Sequence, residues 1–372
     1  MNEMSDASGV ELKLLRRAAN SNIPINGSFE LLPLCNMDCE MCYVRLSRRE
    51  MEEKGRMRTA SEWLALAKQA KEAGTLFLLL TGGEPLLYPD FKELYLSLQN
   101  MGFILTVNTN GTLMDEEWAE FFSLHKPRRI NLTLYGSDNE TYHTLCRLEN
   151  GFDRAVNGIN LLRERNVEVK IGCSAVNANL DDIDRIFWLA DSLGAAVHID
   201  SYMYPAKRER ELSRASDVRL APKAAALVWF KGVLHAYRGD SYTMYRNALL
   251  WDVEKLRSEG NNIPDEGSPM ECMAGNCSFT INWQGYMRPC VMLSSPGIPV
   301  FETGFMPGWE KLRDELSSIH LNPKCSVCEY RPFCHICAAS ALYESGGFDG
   351  VSEYLCELAK ASYELILNHG EN

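Results

Sequence analysis

Residues 35–42 read Cys-Asn-Met-Asp-Cys-Glu-Met-Cys, so that three thiols stand in a C-x3-C-x2-C spacing, and Tyr43 follows directly. Three thiolates on one loop can hold three corners of a cubane iron–sulfur cluster and leave the fourth iron without a protein ligand. A structural zinc ion is the competing interpretation. Zinc prefers four ligands, however, and no fourth Cys or His lies near enough in sequence to complete this set.

A second motif lies further along the chain, where residues 76–85 read Leu-Phe-Leu-Leu-Leu-Thr-Gly-Gly-Glu-Pro. The apolar run is typical of a buried strand, and it stops at Gly82, Gly83, Glu84 and Pro85. Glycine allows the backbone to come close to a ligand, and Glu84 can accept hydrogen bonds from a bound ammonium group. Taken alone, such a tetrapeptide is more often a plain turn.

Strand-like and helix-like segments alternate between residues 27 and 204. The candidate strands are Ser28–Leu34, Leu76–Thr81, Phe103–Asn108, Arg129–Tyr135, Val167–Val176 and Ala196–Tyr202, and the amphipathic segments between them are Ala60–Lys71, Asp90–Met101, Asp115–Leu124, Phe152–Arg165 and Leu180–Leu193. This alternation predicts an α/β fold with a parallel sheet, and six such units would form a partial (β/α)6 barrel of the TIM type. Both motifs lie just past strand ends, where such sheets bind ligands.

The cysteine octet, with Gly82–Pro85 behind it, resembles the radical S-adenosylmethionine (radical SAM) enzymes. The resemblance implies that Cys35, Cys39 and Cys42 hold a four-iron cluster whose open iron chelates the methionine end of S-adenosylmethionine. It also implies that Gly82–Pro85 contacts the amino group of this cofactor. One electron from the cluster would then release a 5′-deoxyadenosyl radical.

Polar groups at two other strand ends suit the nucleoside of that cofactor. Asn108 begins the sequence Asn-Thr-Asn-Gly at the end of the third strand, and Thr133 lies in the fourth strand. The family resemblance assigns Thr133 to the ribose, and Tyr43 is a candidate contact of the adenine. The alternatives remain a plain turn at 108–111, a β-forming residue at Thr133 and a core aromatic at Tyr43.

Composition limits the compartment and the partners. The 372-residue chain has a net charge of −12, and no basic block offsets it, which argues against a nucleic-acid or anionic-membrane partner. The N-terminus lacks a signal-peptide core, and the longest apolar run, Ala224 to Phe230, is too short to span a membrane. We therefore expect a cytoplasmic protein, in which the 13 cysteines would be ligands or buried thiols rather than disulfides.

The C-terminal third contains eight of those cysteines. Their pattern, with Gly285-x4-Cys290 and the close set from Cys325 to Cys337, resembles the SPASM extension of radical SAM enzymes. The resemblance implies two fully ligated auxiliary four-iron clusters, one held by Cys272, Cys277, Cys290 and Cys337 and the other by Cys325, Cys328, Cys334 and Cys356. The chain departs from the family in having Cys334-x2-Cys337 where C-x3-C is common, which leaves this partition open. A zinc domain is the alternative, although it would leave four cysteines unexplained.

These patterns predict five parts of the chain: an N-terminal extension (1–24), a radical SAM core (25–240), a linker (241–269), a SPASM domain (270–360) and a tail (361–372). The fold class is therefore a partial barrel followed by a Cys-rich iron–sulfur domain. Cys146 and Cys173 are expected to be buried thiols.

The resemblance implies a peptide-modifying enzyme, because members with this layout mostly act on peptides or proteins. The cofactors would be S-adenosylmethionine and three 4Fe–4S clusters, and flavodoxin or ferredoxin would be the reductant. An anaerobic sulfatase maturase is the alternative, although Val291 stands where those enzymes carry an Asp. A non-catalytic iron–sulfur or zinc protein is a third possibility, but it would not need an open iron.

Two expectations concern how a peptide would be held. Only 34 residues precede Cys35, too few for a leader-binding domain, so leader recognition would need a separate protein or the barrel itself. The charged segment Pro205–Pro222 is expected to be a solvated loop at the barrel entrance, with Lys207, Arg208, Arg210 and Arg214 available to acidic groups on the peptide. The catalytic acid or base is not apparent from the sequence.

Overall fold

The computed structural model describes residues 9–259, 263–270 and 272–370. A nine-stranded sheet organises them. The strands are β1 (Asn26–Glu30), β2 (Phe77–Thr81), β3 (Ile104–Thr109), β4 (Arg129–Thr133), β5 (Val169–Ser174), β6 (Ala196–Asp200), β7 (Ser278–Ile281), β8 (Tyr286–Arg288) and β9 (Ile298–Pro299). Their order in the sheet is β6-β5-β4-β3-β2-β1-β7-β8-β9.

Strands β1 to β6 pair in parallel, each with the next along the chain, which confirms the predicted parallel α/β fold. All six predicted strands are present, although most end earlier than the sequence suggested. β1, for example, stops at Glu30 rather than Leu34. Residues 31–34 leave the strand and lead into the cysteine octet, so this early ending is what forms the loop.

Helices cover one face of the parallel sheet. The α-helices are α1 (Gly9–Asn20), α2 (Arg48–Lys54), α3 (Ala60–Glu72), α4 (Phe91–Asn100), α5 (Glu116–Leu124), α6 (Asn139–Cys146), α7 (Gly151–Glu164), α8 (Ile183–Ser192), α9 (Ala215–Val218), α10 (Pro222–Ala236), α11 (Asp240–Glu259), α12 (Val300–Thr303), α13 (Phe305–Leu316), α14 (Pro323–Ser326), α15 (Ala338–Ser345) and α16 (Glu353–Asn368). Short 3-10 turns occupy Pro85–Leu87, Asn177–Asp182 and Arg331–Phe333.

The alternation of side chains along the strands separates an apolar face from a polar one. Leu80, Val107, Ile130 and Ile171 are fully buried in the core between the sheet and the helices. The strand register places Asn108, Asn131 and Lys170 in one row on the opposite, concave face, and Thr133, Gly172 and His198 in the next row. A polar lining of this kind suits a ligand rather than a packed interior.

The C-terminal part of the chain continues the same sheet. β7 pairs in parallel with β1, and β8 and β9 add antiparallel strands beyond it. Glycine at position 27 allows β1 and β7 to pair, because a Cβ atom there would clash with the ring of Phe279 at 2.4 Å. Most of the predicted linker 241–269 falls in helix α11, and residues 260–262 of it lie outside the described residues. The five-part division of the chain stays a prediction.

In the described ranges, no helix combines the length and the apolar character needed to cross a membrane.

Candidate functional site

The octet Cys35–Cys42 forms a loop between β1 and α2, and the segment after β2 packs directly against its approach. The amide of Gly83 donates to the carbonyl of Leu32 at 2.7 Å, and the amide of Glu84 donates to the carbonyl of Leu34 at 2.9 Å. A Cβ atom on Gly83 would stand 2.3 Å from the oxygen of Leu34. This glycine is therefore required by the close approach of two chain segments, whereas the sequence had suggested the approach of a ligand.

Glu84 is fully buried at the end of β2. Its Oε1 accepts from the amide of Leu86 at 3.0 Å and from the hydroxyl of Thr109 at 2.8 Å, and its Oε2 accepts from the amide of Asn110 at 2.8 Å. Desolvation outweighs these bonds and raises the pKa of Glu84 to about 7. Since a carboxylate offers about four acceptor positions, one remains on Oε2. Pro85, also buried, begins the 3-10 turn that Glu84 caps.

Asn110 is a site residue that the sequence interpretation missed. Its side-chain nitrogen lies 3.6 Å from the sulfur of Cys35 and donates to the side chain of Asn36 at 2.8 Å. The predicted Asn108 lies two residues earlier, where its Oδ1 accepts from Asn131 at 2.7 Å. The Asn-Thr-Asn-Gly motif did signal the position, but the strand ends at Thr109. The second asparagine is thus the one that reaches the cysteine loop.

The three thiols of the loop lie in a largely buried setting. Backbone amides point at two of the sulfurs, since Met37 donates to Cys35 at 3.4 Å and Arg45 donates to Cys42 at 3.3 Å. Burial, with the nearby charge of Glu84, raises the pKa of Cys35, and burial likewise raises that of Cys42. The free thiols therefore hold their protons, and thiolate formation would accompany metal binding.

The carbonyl end of helix α6 anchors the same loop. The amide of Asp38 donates to the carbonyl of Cys146 at 2.9 Å, and that of Glu40 donates to Leu145 at 3.2 Å. Cys146 is fully buried, and a hydrogen bond with its thiol raises the pKa of Cys39. Cys173 is buried in the sheet core, 2% exposed.

Tyr43 and Thr133, the other candidate cofactor contacts, occupy different surroundings. Tyr43 is half-buried, and the guanidinium of Arg208 stacks on its ring at 4.9 Å. Burial raises the pKa of Tyr43. Arg208 lowers it, whereas Glu30, Cys42 and Cys290 raise it further. Tyr43 therefore lies between the cysteine loop and the C-terminal cysteines. Thr133 is half-buried on the concave face, in the row next to Asn108.

The expectation that Pro205–Pro222 is a solvated loop is wrong for Arg208 and Arg210. The Arg208 side chain is 1% exposed and pairs with Glu30, and Arg210 is 7% exposed and pairs with Asp38. Lys207 is exposed, and the Arg214 side chain is half-exposed beside Glu40. The acidic partners of the buried arginines are remote in sequence: Glu30 lies 178 residues before Arg208, and Asp38 lies 172 residues before Arg210. Arg208 and Arg210 are thus structural ion pairs and are not available to a peptide.

The C-terminal thiols fall into two spatial groups. Burial raises the pKa values of Cys272 and Cys290, and the nearby Cys337 raises both further. In a second group, burial raises the pKa values of Cys325, Cys334 and Cys356; Cys356 raises those of Cys325 and Cys334 further, and Cys328 raises those of Cys325 and Cys356. Cys277 is fully buried at the start of β7, next to Leu15 and Ile25. The partition of the eight cysteines between two clusters stays a prediction.

The chemistry of the donors fits iron–sulfur clusters. Within the cysteine loop, backbone amides donate to the sulfurs of Cys35 and Cys42. Within the described part of the chain, no three His, Cys, Asp or Glu side chains converge on one point as ligands of a single ion. A multi-iron cluster needs its thiolates spread around a larger body, so this spacing is compatible with it.

Comparison with known proteins agrees with this site. Residues 29–188 match the Radical SAM superfamily. The AdoMet-dependent heme synthase of Methanosarcina barkeri is 27% identical over 346 residues, which cover 89% of this chain and 95% of that protein. The sporulation killing factor maturation protein SkfB of Bacillus subtilis is 24% identical over 74% of this chain and 62% of its own length.

Among solved structures, native anSMEcpe with bound AdoMet and Cp18Cys peptide has the same fold. Its TM-score is 0.67 at 17% sequence identity, and the match covers 92% of this chain and 96% of that one. The matched residues 29–188 contain the cysteine loop, the Gly82–Pro85 segment and the polar row of Asn108, Asn131 and Lys170. Residues 29–188 therefore form a domain of the Radical SAM superfamily, and the relatives of this chain are radical SAM enzymes, among them a peptide maturation protein.

Proposed function

We propose that this enzyme modifies a genetically encoded peptide in the cytoplasm, using S-adenosylmethionine, one open four-iron cluster and two auxiliary four-iron clusters. The observation that supports it most is the juxtaposition at one edge of the sheet. The three-thiol loop, the buried Glu84, Asn108 and Thr133 all lie at or just past the carboxyl ends of neighbouring strands.

Cys35, Cys39 and Cys42 would hold the open cluster, which when bound supplies the electron that cleaves S-adenosylmethionine. Asn110 fixes Cys35 through its contact with the sulfur. The remaining acceptor position on Glu84 suits an ammonium group, and its buried carboxylate favours a cation there. The amides of Asn108 and Asn131 and the hydroxyl of Thr133 would meet a nucleoside on the concave face.

The two groups of C-terminal thiols support the auxiliary clusters. Cys272, Cys290 and Cys337, with Cys277, would hold the first, and Cys325, Cys328, Cys334 and Cys356 would hold the second. Full ligation leaves no open iron, so these clusters would accept or relay an electron from the substrate radical. Flavodoxin or ferredoxin would supply the electron to the first cluster.

A peptide substrate is supported by the strand at the end of the sheet, as the described residues form it. β6 is the terminal strand, and Ala196 and Asp200 on it are exposed. An extended peptide can add to such an edge through its backbone, a mode that tolerates varied side chains. The bound peptide in the structure of anSMEcpe and the maturation role in the name of SkfB point the same way. A separate leader-binding protein would serve any leader sequence.

A heme precursor is a second candidate substrate. It is favoured by the identity to a heme synthase over nearly the whole chain. A precursor with carboxylate side chains would need cations at the site; Arg208 and Arg210 are committed to internal ion pairs, and Lys170 and His198 are the basic residues of the two polar rows. We therefore rank this candidate below the peptide.

Cofactor content tests the proposal. Anaerobically reconstituted protein should contain about 12 iron atoms per chain, and the triple variant Cys35→Ala, Cys39→Ala, Cys42→Ala should retain about 8 and form no 5′-deoxyadenosine. Cys173→Ala, which removes a buried thiol outside the three proposed sets, should keep about 12. Wild-type protein that binds zinc with little iron would contradict the proposal.

A further inference from the structure

The segment from Arg208 to Arg214 joins the cysteine loop to the C-terminal part of the molecule. At one end, Arg208 pairs with Glu30 and donates to the carbonyl of Val291 at 2.7 Å, next to Cys290. Its side chain is nearly inaccessible to water, and its backbone is left-handed, with φ of 44°. The conformation of this segment is therefore fixed by tertiary contacts rather than by local preference.

The other end of the segment holds four consecutive carbonyls of the cysteine loop. Arg210 donates to the carbonyl of Cys39 at 2.7 Å and to that of Cys42 at 3.4 Å. The amide of Arg214 donates to the carbonyl of Glu40 at 2.9 Å, and the hydroxyl of Ser213 donates to that of Met41 at 3.4 Å. Two of the four acceptors belong to predicted cluster ligands, and both bind the same guanidinium.

Arg210 shares its acidic partner Asp38 with two other arginines. A cavity of about 230 Å³ beside the loop is lined by four arginines, three acidic residues and Leu212: Arg45, Arg147, Arg210, Arg214, Asp38, Glu40 and Glu50 supply the charges. Asp38, the partner of Arg210, also contacts Arg45 at 3.5 Å and Arg147 at 3.6 Å. The negative charge of Asp38 is therefore shared among three arginines, and it offsets the charge of Arg210 only in part.

We propose that Arg210 is a positioning residue that clamps the cysteine loop from behind and raises the reduction potential of the cluster it carries. This inference rests on the open cluster of the proposed function. Reduction adds one negative charge to the cluster, and a fixed cation in a water-poor setting stabilises that charge. Arg210 is suited to this role because its five donors can serve two carbonyls and a carboxylate together, which a lysine cannot match.

Potentiometric titration of the open cluster, followed by electron paramagnetic resonance, tests the effect of charge. At a fixed applied potential, Arg210→Gln should lower the ratio of reduced to oxidised open cluster about tenfold, which equals about 59 mV for a one-electron couple. Arg210→Lys keeps the charge and should change the ratio less than about threefold. Lys207→Gln removes an exposed charge just before this segment and should leave the ratio unchanged.

Hydrogen exchange of the cluster-free chain tests the clamp independently of cluster chemistry. Arg210→Lys should speed exchange of the amides in residues 38–42, while Lys207→Gln should not. The inference would be overturned if Arg210→Gln had the same ratio of reduced to oxidised cluster as the wild type, or if Arg210→Lys changed that ratio as much as Arg210→Gln. Unchanged amide exchange in Arg210→Lys would also overturn it. If the wild-type signal does not respond to added S-adenosylmethionine, the proposed function fails first and the inference falls with it.

Discussion

Among single residues, Glu84 connects the strand ends of the site. Its carboxylate accepts hydrogen bonds from the turn that follows it and from the end of β3, so it links β2 to β3 at the level of Cys35. The cost is a fully desolvated carboxylate, whose pKa rises to about 7 from the ordinary value of 4.5. Such a group is suited to gaining a cationic partner.

The raised pKa of Glu84 predicts a particular pH dependence in the cluster-free protein. Between pH 4.5 and 7 the folded state keeps a proton that the unfolded state has lost, so raising the pH favours unfolding. Relative to Glu84→Gln, the melting temperature of the wild type should fall by about 4 °C from pH 4.5 to pH 8 and then level off. Parallel thermal melts across this range would measure it, and identical pH profiles for the two proteins would contradict it.

The residues that sequence could not place are those with remote partners. A dense run of charge is normally solvated, and the sequence gives no sign that Arg208 and Arg210 meet Glu30 and Asp38. The three-thiol loop and Glu84 were identifiable because their chemistry is contained in short motifs. Asn110 lies two residues after the predicted Asn108, in the same motif. Which of the two asparagines contacts Cys35 depends on where β3 ends, and the sequence did not predict that position.

At the level of elements, the order of the six parallel strands could be predicted because each is an apolar run followed by an amphipathic helix. The end of β2 at Thr81 was also predictable, since glycines follow it, but the end of β1 was not, because residues 31–34 remain apolar while their backbone leaves the strand. The close pairing of residues 82–84 with residues 32–34 replaces the strand there and sets the position of Cys35. A glycine in this contact therefore controls the cluster loop.

Gly83→Ala tests that control. The added Cβ would meet the Leu34 oxygen at 2.3 Å and should push the start of the cysteine loop away from β2. We expect the reconstituted variant to lose much of the open cluster and to approach about 8 iron atoms per chain, with both auxiliary clusters kept. Gly232→Ala in helix α10, where the nearest atom would be 3.9 Å away, is the matched control and should keep about 12. Equal iron content in the two variants would remove Gly83 from this role.

In the whole molecule, one sheet carries both halves of the site. The parallel pairing of β7 with β1 places the C-terminal cysteines beside the mouth of the barrel, and Tyr43 lies between Cys42 and Cys290. The sequence predicted two cysteine-rich regions but not this continuity, because strand pairing between segments about 250 residues apart depends on contacts such as Phe279 against Gly27. The shared sheet suits transfer of an electron between the clusters.

The central claim is that a radical formed at the cysteine loop takes hydrogen from a peptide. The most direct measurement uses the peptide encoded beside the gene, synthesised with perdeuterated residues, together with reconstituted enzyme, S-adenosylmethionine and a low-potential reductant. Mass spectrometry should find one deuterium in the 5′-deoxyadenosine and a matching loss from the peptide. Undeuterated 5′-deoxyadenosine with an unmodified peptide, while a deuterated iron porphyrin with propionate side chains transfers its label, would contradict the account and favour a heme precursor as the substrate.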